Sequence, residues 1–212
     1  MKFKLFACEV LCREVCAFVA SSPHQVDVEF LPKGLHDLGK KKMKQRIQTA
    51  LDTVDESQYD FILLGYALCN GGVVGLTAKT IPLVIPKAHD CITFFLGSRK
   101  RYEEYFFANS GTYFKTVGWV ERGDSLSQML DIMPFYKKFA FIETGIEPND
   151  SFAKQTETLA AEKEWEYEKL PGDLTLLKRL LHGHWDNDFL IAQPGCTIQF
   201  SYDDEIIKSV EI

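Results

Sequence analysis

Three cysteines, each placed where an apolar run of strand length ends, are the residues of this sequence best suited to do chemistry. Cys8 ends the run KFKLFAC, Cys69 follows YDFILLGY, and Cys91 follows IPLVIP. Because the carboxyl ends of parallel strands meet at one edge of an open sheet, we expect the three thiols to converge there. Thiolates and imidazoles are preferred ligands of zinc. The sequence therefore predicts a zinc site made of Cys8, Cys69 and Cys91, with His89 as the fourth ligand or as a nearby base.

Three other interpretations of these cysteines stay open. The same ligands suit an Fe-S cluster, and scattered thiols in a cytosolic protein often only fill the core. A nucleophilic thiol at Cys69 or Cys91 would need His89 as base and Asp90 as the acid that orients it. Glu9 is a further candidate for acid-base catalysis. His89 and Cys91 are two residues apart, so both can bind one metal only if the chain turns between them.

A second cysteine pattern lies close to the N-terminus. Cys8, Cys12 and Cys16 are spaced by four residues, which places them on one face of a helix that starts near Cys8. Such a face could hold a cluster, but small residues are also needed where a helix packs under a sheet. We assign Cys12 and Cys16 to packing.

An anion site is predicted at Ser98 and Arg99. Gly97 splits the segment after Cys91 into two short helices, and Ser98 is a plausible N-cap of the second. A helix N-terminus and an arginine side chain together suit a phosphate or carboxylate. The alternative is an ordinary helix cap followed by surface charges.

The elements that position these residues alternate in type. Strand, helix, strand, helix and strand follow one another from residue 3 to residue 66, with a long helix over 38–54. This order predicts an α/β fold with a mainly parallel open sheet flanked by helices. After Cys69 we expect a glycine turn that either lets the backbone pass close to another group or opens a helix through Ala78. Residues 111–121 are expected to form an irregular loop or lid, 125–136 a helix, KKFAFIET a strand, and IIKSVEI an edge strand.

One α/β domain over residues 1–212 is expected, with two pseudo-repeated halves, 1–110 and 111–212, as an open alternative. Both halves contain a strand, a Leu-Pro turn, a helix and a buried strand that begins near an aspartate. Leu31-Pro32 aligns with Leu170-Pro171, and Asp60-Phe61 aligns with Asp188-Phe189. Convergent α/β patterns would produce the same similarity.

Composition limits the class of protein. The formal net charge of -6 argues against a nucleic-acid partner, and no run is long and apolar enough to span a membrane. Six cysteines without a signal peptide indicate a reducing, cytoplasmic location. Walker-type, GxGxxG and HExxH motifs are absent, which argues against nucleotide hydrolysis. Aromatic residues between Tyr102 and Trp119 leave an oligomer interface open.

Four segments, ACEVLCRE, LLGYALCNGGVVGL, IPKAHDCITFFLGSRKRY and GTYFKTVGW, resemble a family of uncharacterised proteins from methanogens and anaerobic bacteria. The resemblance covers nearly the whole chain. Members are often encoded beside corrinoid-dependent methyltransferase systems, which implies one-carbon metabolism and a corrinoid protein partner by association. The relatives have LCGNG where this chain has LCNGG, so the turn is shifted. The family pattern carries over onto Cys8, Glu9, Gly65, Cys69, Gly75, His89, Asp90, Cys91, Gly97, Ser98, Arg99, Tyr102, Gly111, Thr112 and Tyr113.

From these observations we expect a metal-thiolate protein, with zinc as the metal, that acts on a small anionic or thiol substrate. Ser98, Arg99, Tyr102 and Tyr113 are the predicted substrate-binding residues. Methyl transfer is the favoured version of the reaction, because zinc activates a bound thiol for alkyl transfer. The alternative is a non-catalytic accessory protein that handles a corrinoid, a metal or an Fe-S cluster.

Overall fold

The computed structural model describes residues 1–123 and 135–212, and five of its strands form the largest sheet. These strands are β1 (Lys2–Cys8), β2 (Gln25–Leu31), β3 (Phe61–Gly65), β4 (Leu83–Pro86) and β8 (Phe189–Ala192). Their order is β2-β1-β3-β4-β8. The first four are parallel, and β8 runs antiparallel to β4. The predicted α/β fold with a mainly parallel open sheet is therefore confirmed.

The apolar runs become the central strands because both of their faces are covered. All four residues of β4 are buried, as are residues 62–65 of β3. Leu5 of β1 lies between Val28 and Leu63 in the sheet register. The edge strand β2 has no fully buried residue.

Helices connect the parallel strands. Residues Glu9–Leu11 form a 3-10 turn that leads into α1 (Cys12–Val19), and a second 3-10 segment, Lys33–Leu38, precedes α2 (Lys40–Asp52). The connections β1-α1-β2 and β2-α2-β3 run in opposite directions across the sheet. Because crossovers between parallel strands are right-handed as a rule, we expect α1 and α2 on opposite faces. Met43, Ile47 and Leu51 of α2 are buried in the main core.

Two short helices follow β4, as predicted. They are α3 (Ile92–Leu96) and α4 (Arg99–Ala108). Gly97 separates them with a φ of 80°, a left-handed conformation that ends α3. Ser98 then caps α4, because its Oγ accepts a hydrogen bond from the Arg101 N–H at 3.2 Å.

A second, three-stranded parallel sheet follows, with the order β5-β6-β7. It contains β5 (Thr112–Lys115), β6 (Lys138–Glu143) and β7 (Glu166–Pro171). The helix α5 (Val117–Glu121) follows β5, and α6 (Ser151–Glu162) connects β6 to β7. The chain then returns through α7 (Thr175–Leu181) to place β8 in the first sheet. It ends in an antiparallel hairpin of β9 (Cys196–Phe200) and β10 (Ile207–Glu211), so the IIKSVEI strand forms.

The two segments aligned as a pseudo-repeat occupy different places in the sheets. Strands β2 and β3 both belong to the five-stranded sheet, whereas β7 lies in the three-stranded sheet and β8 in the five-stranded one. The duplication of 1–110 and 111–212 stays a prediction.

One local prediction is wrong. Residues 111–121 form β5 and α5 rather than an irregular loop, because β5 pairs with β6 and the Thr116 side chain caps α5. Of the two alternatives for the glycines after Cys69, the close approach of the backbone is found, since a Cβ atom at Gly72 would lie 2.2 Å from Met43 Sδ. No helix forms over residues 72–78. Gly71 and Gly75 have φ angles of 84° and 87°, which a continuing helix cannot contain. The helix predicted over 125–136 falls mainly outside the described residues. Within the described ranges, no helix is long and apolar enough to cross a membrane.

Candidate functional site

A cavity of about 640 Å³ lies at the carboxyl edge of the five-stranded sheet, the edge where β1 to β4 have their C-termini. Its lining comes from the ends of β1, β3 and β4, from the 3-10 segment after β2, and from α4, β5 and α5. It therefore lies between the first sheet and the part of the chain that builds the second. Most of the lining side chains are apolar or aromatic, and a few polar groups stand among them. This composition is typical of a small-molecule site.

The structure brings Cys8, Cys69 and Cys91 to this cavity. Cys8 is the last residue of β1 and is 8% exposed. Cys69 begins a 3-10 turn after β3, and Cys91 is the residue before α3. Their convergence follows from topology, since β1, β3 and β4 are parallel neighbours that end at one edge.

Burial keeps the three thiols protonated at neutral pH. It raises the pKa of Cys8 to about 11 and the pKa of Cys69 to about 12. It also raises the pKa of Cys91 well above its ordinary value. Backbone N–H groups near Cys8 and Cys69 lower these pKa values, but by less than burial raises them. In the described ranges, no group of three or more His, Cys, Asp and Glu side chains is arranged to hold a metal ion.

Asp90 and His89 face different surroundings. Asp90 lines the cavity and accepts hydrogen bonds from the Tyr102 hydroxyl at 2.8 Å and from the Ile92 N–H at 2.9 Å. Burial raises the pKa of the Asp90 carboxyl. His89 also lines the cavity, but its side chain is exposed and its Nε2 lies 3.5 Å from Glu103 Oε1. His89 and Asp90 are therefore not arranged as a dyad, while Asp90 and Tyr102 are hydrogen-bonded partners.

Three other predicted residues lie outside the cavity lining. Glu9 Oε1 accepts the Lys33 backbone N–H at 3.0 Å, and Glu9 Oε2 lies 3.7 Å from Arg122. The Ser98 hydroxyl oxygen caps α4. The Arg99 guanidinium donates to the Asp204 carbonyl oxygen and lies 3.7 Å from Glu103. Tyr102 and Tyr113, by contrast, both line the cavity.

Several polar residues of the lining were not predicted from the sequence: Lys33, His36, Tyr66, Glu103, Trp119 and Tyr136. Three of them, Lys33, Tyr66 and Trp119, have a buried nitrogen or hydroxyl group without a well-formed hydrogen bond to the described residues. Lys33 follows the end of β2 and Tyr66 follows the end of β3, so the strand-end rule that located the cysteines applies to both. Trp119 gave no such signal, because it reaches the cavity from α5.

Lys33 brings a basic group into the cavity, whose lining also contains the acids Asp90 and Glu103. It is the only lysine or arginine among the lining residues that the structure describes. Its Nζ lies 5.4 Å from the centroid of the Trp119 ring. Burial lowers the pKa of this ammonium group, and the nearby acids Asp37 and Glu9 oppose that effect.

Comparison with known protein families gives one match. The model of a family described as "Protein of unknown function (DUF1638)" matches residues 30–181, more than two thirds of the chain. The matched range includes Lys33, Tyr66, Cys69, Cys91 and Trp119, whereas Cys8 precedes it. No curated protein and no solved structure matches the chain significantly. The predicted relation to an uncharacterised family is confirmed, and the link to methanogens and corrinoid systems stays a prediction.

Proposed function

This chain belongs to the DUF1638 family of proteins of unknown function. We propose that it binds a small anionic or thiol substrate in the cavity and acts on this substrate with the cavity thiols. One observation carries the proposal. Cys8, Cys69 and Cys91 come from three different strand ends and line one space large enough for an organic ligand.

The reaction class that suits this site best is transfer of a methyl group to sulfur. In that step the sulfur of the bound thiol substrate forms a bond to the methyl carbon, the bond between the methyl group and its donor breaks, and the donor leaves with the bonding electron pair. The substrate thiol is mostly protonated at neutral pH, so it must give its proton to an acceptor. Asp90 is the candidate acceptor, because it lines the same cavity and burial raises its pKa, which makes its carboxylate a stronger base. Tyr102 would hold the Asp90 carboxyl in place.

Zinc remains a prediction that rests on the chemistry of the donors. Thiols from Cys8, Cys69 and Cys91 are ligands that zinc accepts, and a bound zinc ion would supply thiolate at neutral pH. The described side chains are not arranged to hold an ion. We therefore derive no step that requires one. Elemental analysis of anaerobically purified protein, beside a variant with Cys69→Ala and Cys91→Ala, tests zinc and iron directly.

Methyl transfer can be tested with methylcobalamin as donor and 3-mercaptopropionate as acceptor, under anaerobic conditions. We expect the protein to accelerate loss of the methylcobalamin absorbance and to form S-methyl-3-mercaptopropionate. The Cys69→Ala, Cys91→Ala variant should lose this acceleration. Cys196→Ala is the matched control, because Cys196 is buried but lies outside the cavity. A rate equal to that of the protein-free solution would contradict methyl transfer between these reactants.

A non-catalytic accessory role is the second candidate, and the mouth of the cavity favours it. Phe107 is 80% exposed and Phe106 is 44% exposed, and both line the cavity. Exposed aromatic side chains at the opening of a site suit contact with a protein partner. Co-elution with a corrinoid protein in the absence of turnover would favour this role over the enzyme.

A further inference from the structure

Three hydrogen-bond donors of the cavity lack an oxygen or nitrogen acceptor. The Lys33 ammonium, the Tyr66 hydroxyl and the Trp119 indole N–H are buried and have no well-formed hydrogen bond to a described atom, and the Trp119 N–H lies near the thiol of Cys91, which is a weak acceptor. Lys33 is only 8% exposed and Tyr66 only 3%. A buried polar group without a partner is unfavourable, so such groups in a folded protein point to a partner that binds there. All three residues line the same cavity.

Lys33 Nζ forms no ion pair or hydrogen bond with the described residues, although the charges of Asp37 and Glu9 act on it from a distance. Glu9 lies nearby, but its carboxylate already accepts the Lys33 backbone N–H and faces Arg122. Asp37 is the other near acid, and its Oδ1 lies 2.9 Å from His36 Nε2. The thiol of Cys8 is neutral. A buried ammonium group therefore faces the cavity without a paired anion, and an anionic ligand would supply one.

An apolar wall lies on the α4 side of the same cavity. Tyr102 and Phe106 stack with their ring centroids 5.8 Å apart, and Phe114 lies 6.5 Å from Tyr102. These rings all line the cavity, whose volume is in the range of sites that hold drug-sized ligands. A bare inorganic anion would leave this surface uncovered. An organic acid with a ring-sized apolar body would use both the donors and the wall.

We propose that Lys33, Tyr66 and Trp119 form the subsite that binds the carboxylate or sulfonate group of an organic acid whose apolar body lies along Tyr102, Phe106 and Phe114. This assignment rests on the proposed function, because it takes the cavity to be the substrate site. It identifies the substrate as an organic acid with an apolar body. It places the anion-binding group at Lys33, apart from the Ser98-Arg99 turn.

Two dyes that differ by one group test the subsite. 8-Anilinonaphthalene-1-sulfonate carries a sulfonate, and N-phenyl-1-naphthylamine has the same ring system without it. We expect both to bind the native protein, measured by fluorescence titration. Lys33→Met should weaken binding of the sulfonate dye by about tenfold or more, as expected for loss of a charge-assisted hydrogen bond. Binding of the neutral dye should change less than about twofold, because methionine keeps the apolar stem.

Tyr66→Phe and Trp119→Phe provide variants that keep the packing and remove single donors. Each should weaken the sulfonate dye alone, by a smaller factor than Lys33→Met. Lys100→Met is the matched control, since Lys100 is an exposed lysine of α4; it should change neither affinity. Competition by 1-naphthoate and by 1-naphthalenesulfonate then separates carboxylate from sulfonate.

The proposal is overturned if neither dye binds the native protein, if Lys33→Met leaves the sulfonate dye unaffected, or if it weakens both dyes equally. Failure of the thiol chemistry would be seen separately. The Cys69→Ala, Cys91→Ala variant should still bind the sulfonate dye even if the native protein shows no methyl transfer.

Discussion

The protonation of the cavity thiols is set mainly by burial. Cys8 and Cys69 have pKa values of about 11 and about 12, and in both cases the loss of hydration is the largest cause. Negative neighbours add to the effect, since the charge of Asp90 raises the pKa values of Cys69 and Cys91 further. The protein alone thus keeps these thiols unreactive, and chemistry must begin with removal of a proton.

This protonation predicts slow alkylation of the cavity thiols. With iodoacetamide at pH 8, Cys8 and Cys69 should react at least about a hundredfold more slowly than a thiol of ordinary pKa, because their thiolate fractions are smaller. As the pH rises, the labelling rate of Cys69 should keep increasing up to about pH 12. Peptide mapping by mass spectrometry gives the rate at each cysteine.

Cys16 is the internal reference for this experiment because it is exposed on α1, although partial burial and the neighbouring Cys12 raise its pKa as well. Labelling of Cys69 as fast as Cys16 at pH 8 would contradict the prediction. A rate at Cys69 that levels off below pH 8 would instead reveal a strong positive charge close to this thiol, such as a bound metal ion.

Residues that directly follow parallel strands meet at one edge of the sheet, and this rule predicts more of the site than was inferred from it. It located the three cysteines, and it applies equally to Lys33 and Tyr66, which also follow parallel strands. They were missed because a lysine in a turn and a tyrosine in an apolar run have ordinary structural explanations. Arg99 was favoured for its charge, yet it makes contacts with Asp204 and Glu103 outside the cavity. Sequence cannot show which cation becomes buried.

At the scale of elements, the docking of α5 positions Trp119. Gly118 packs so closely on the 3-10 turn after β1 that a Cβ atom built there would lie 1.8 Å from the Val10 carbonyl oxygen. No side chain can move to relieve that contact, since the neighbour is backbone. The close approach therefore requires glycine, and it fixes α5 against the end of β1.

Gly118→Ala should destabilise the protein by about 1–3 kcal/mol, the usual range for overpacking. Urea unfolding followed by circular dichroism measures the change. Gly34→Ala is the matched control: its Cβ would meet nothing closer than Asp37 Oδ2 at 3.9 Å, and a change within about 0.5 kcal/mol is expected. Equal unfolding midpoints for Gly118→Ala and the native protein would show that α5 does not depend on this contact.

Elements with strong local signals were predictable, and those that depend on distant partners were not. β3 and β4 are continuous apolar runs, and Gly97 with Ser98 marks the break between α3 and α4. β5 has only four residues, and it is a strand because it pairs with β6, more than twenty residues later in the chain. The mixed sequence of residues 111–121 carries no period that would reveal this pairing.

Across the whole molecule, a buried acid connects the two sheets. Glu14 of α1 is 1% exposed, and its Oε1 lies 3.5 Å from the hydroxyl of Thr144, which follows β6. Burial and the nearby Glu147 carboxylate raise the pKa of Glu14 to about 7, while Thr144 and Arg13 act in the opposite direction. The Glu14 carboxyl group in this contact therefore changes its charge near neutral pH.

Stability should fall as this acid ionises. The folded protein keeps the Glu14 proton up to about pH 7, whereas the unfolded chain loses it near 4.5. The contribution of protonated Glu14 to the free energy of unfolding is fully present below pH 4.5. It declines as the pH rises and is lost above pH 7. Over this window the loss is up to about 3 kcal/mol.

Glu14→Gln should remove this decline, because glutamine does not titrate. At pH 8 the variant should be more stable than the native protein, as measured by urea unfolding between pH 4.5 and 8. Glu162→Gln, at an exposed position of α6, should keep the native pH dependence. If the free energy of unfolding varies with pH in the same way for Glu14→Gln and for the native protein, Glu14 does not titrate in this range.

The place of β8 has a consequence for synthesis on the ribosome. β4 is a fully buried strand, and its outer edge pairs only with β8, with Leu83 opposite Ala192. About a hundred residues separate the two strands, so at ordinary rates of translation the edge of β4 waits roughly 5–20 s for its partner. During that interval the nascent chain exposes an unpaired apolar strand to other chains. The prolines at the two ends of IPLVIP lack the N–H that a ladder requires, and they limit such pairing until β8 arrives.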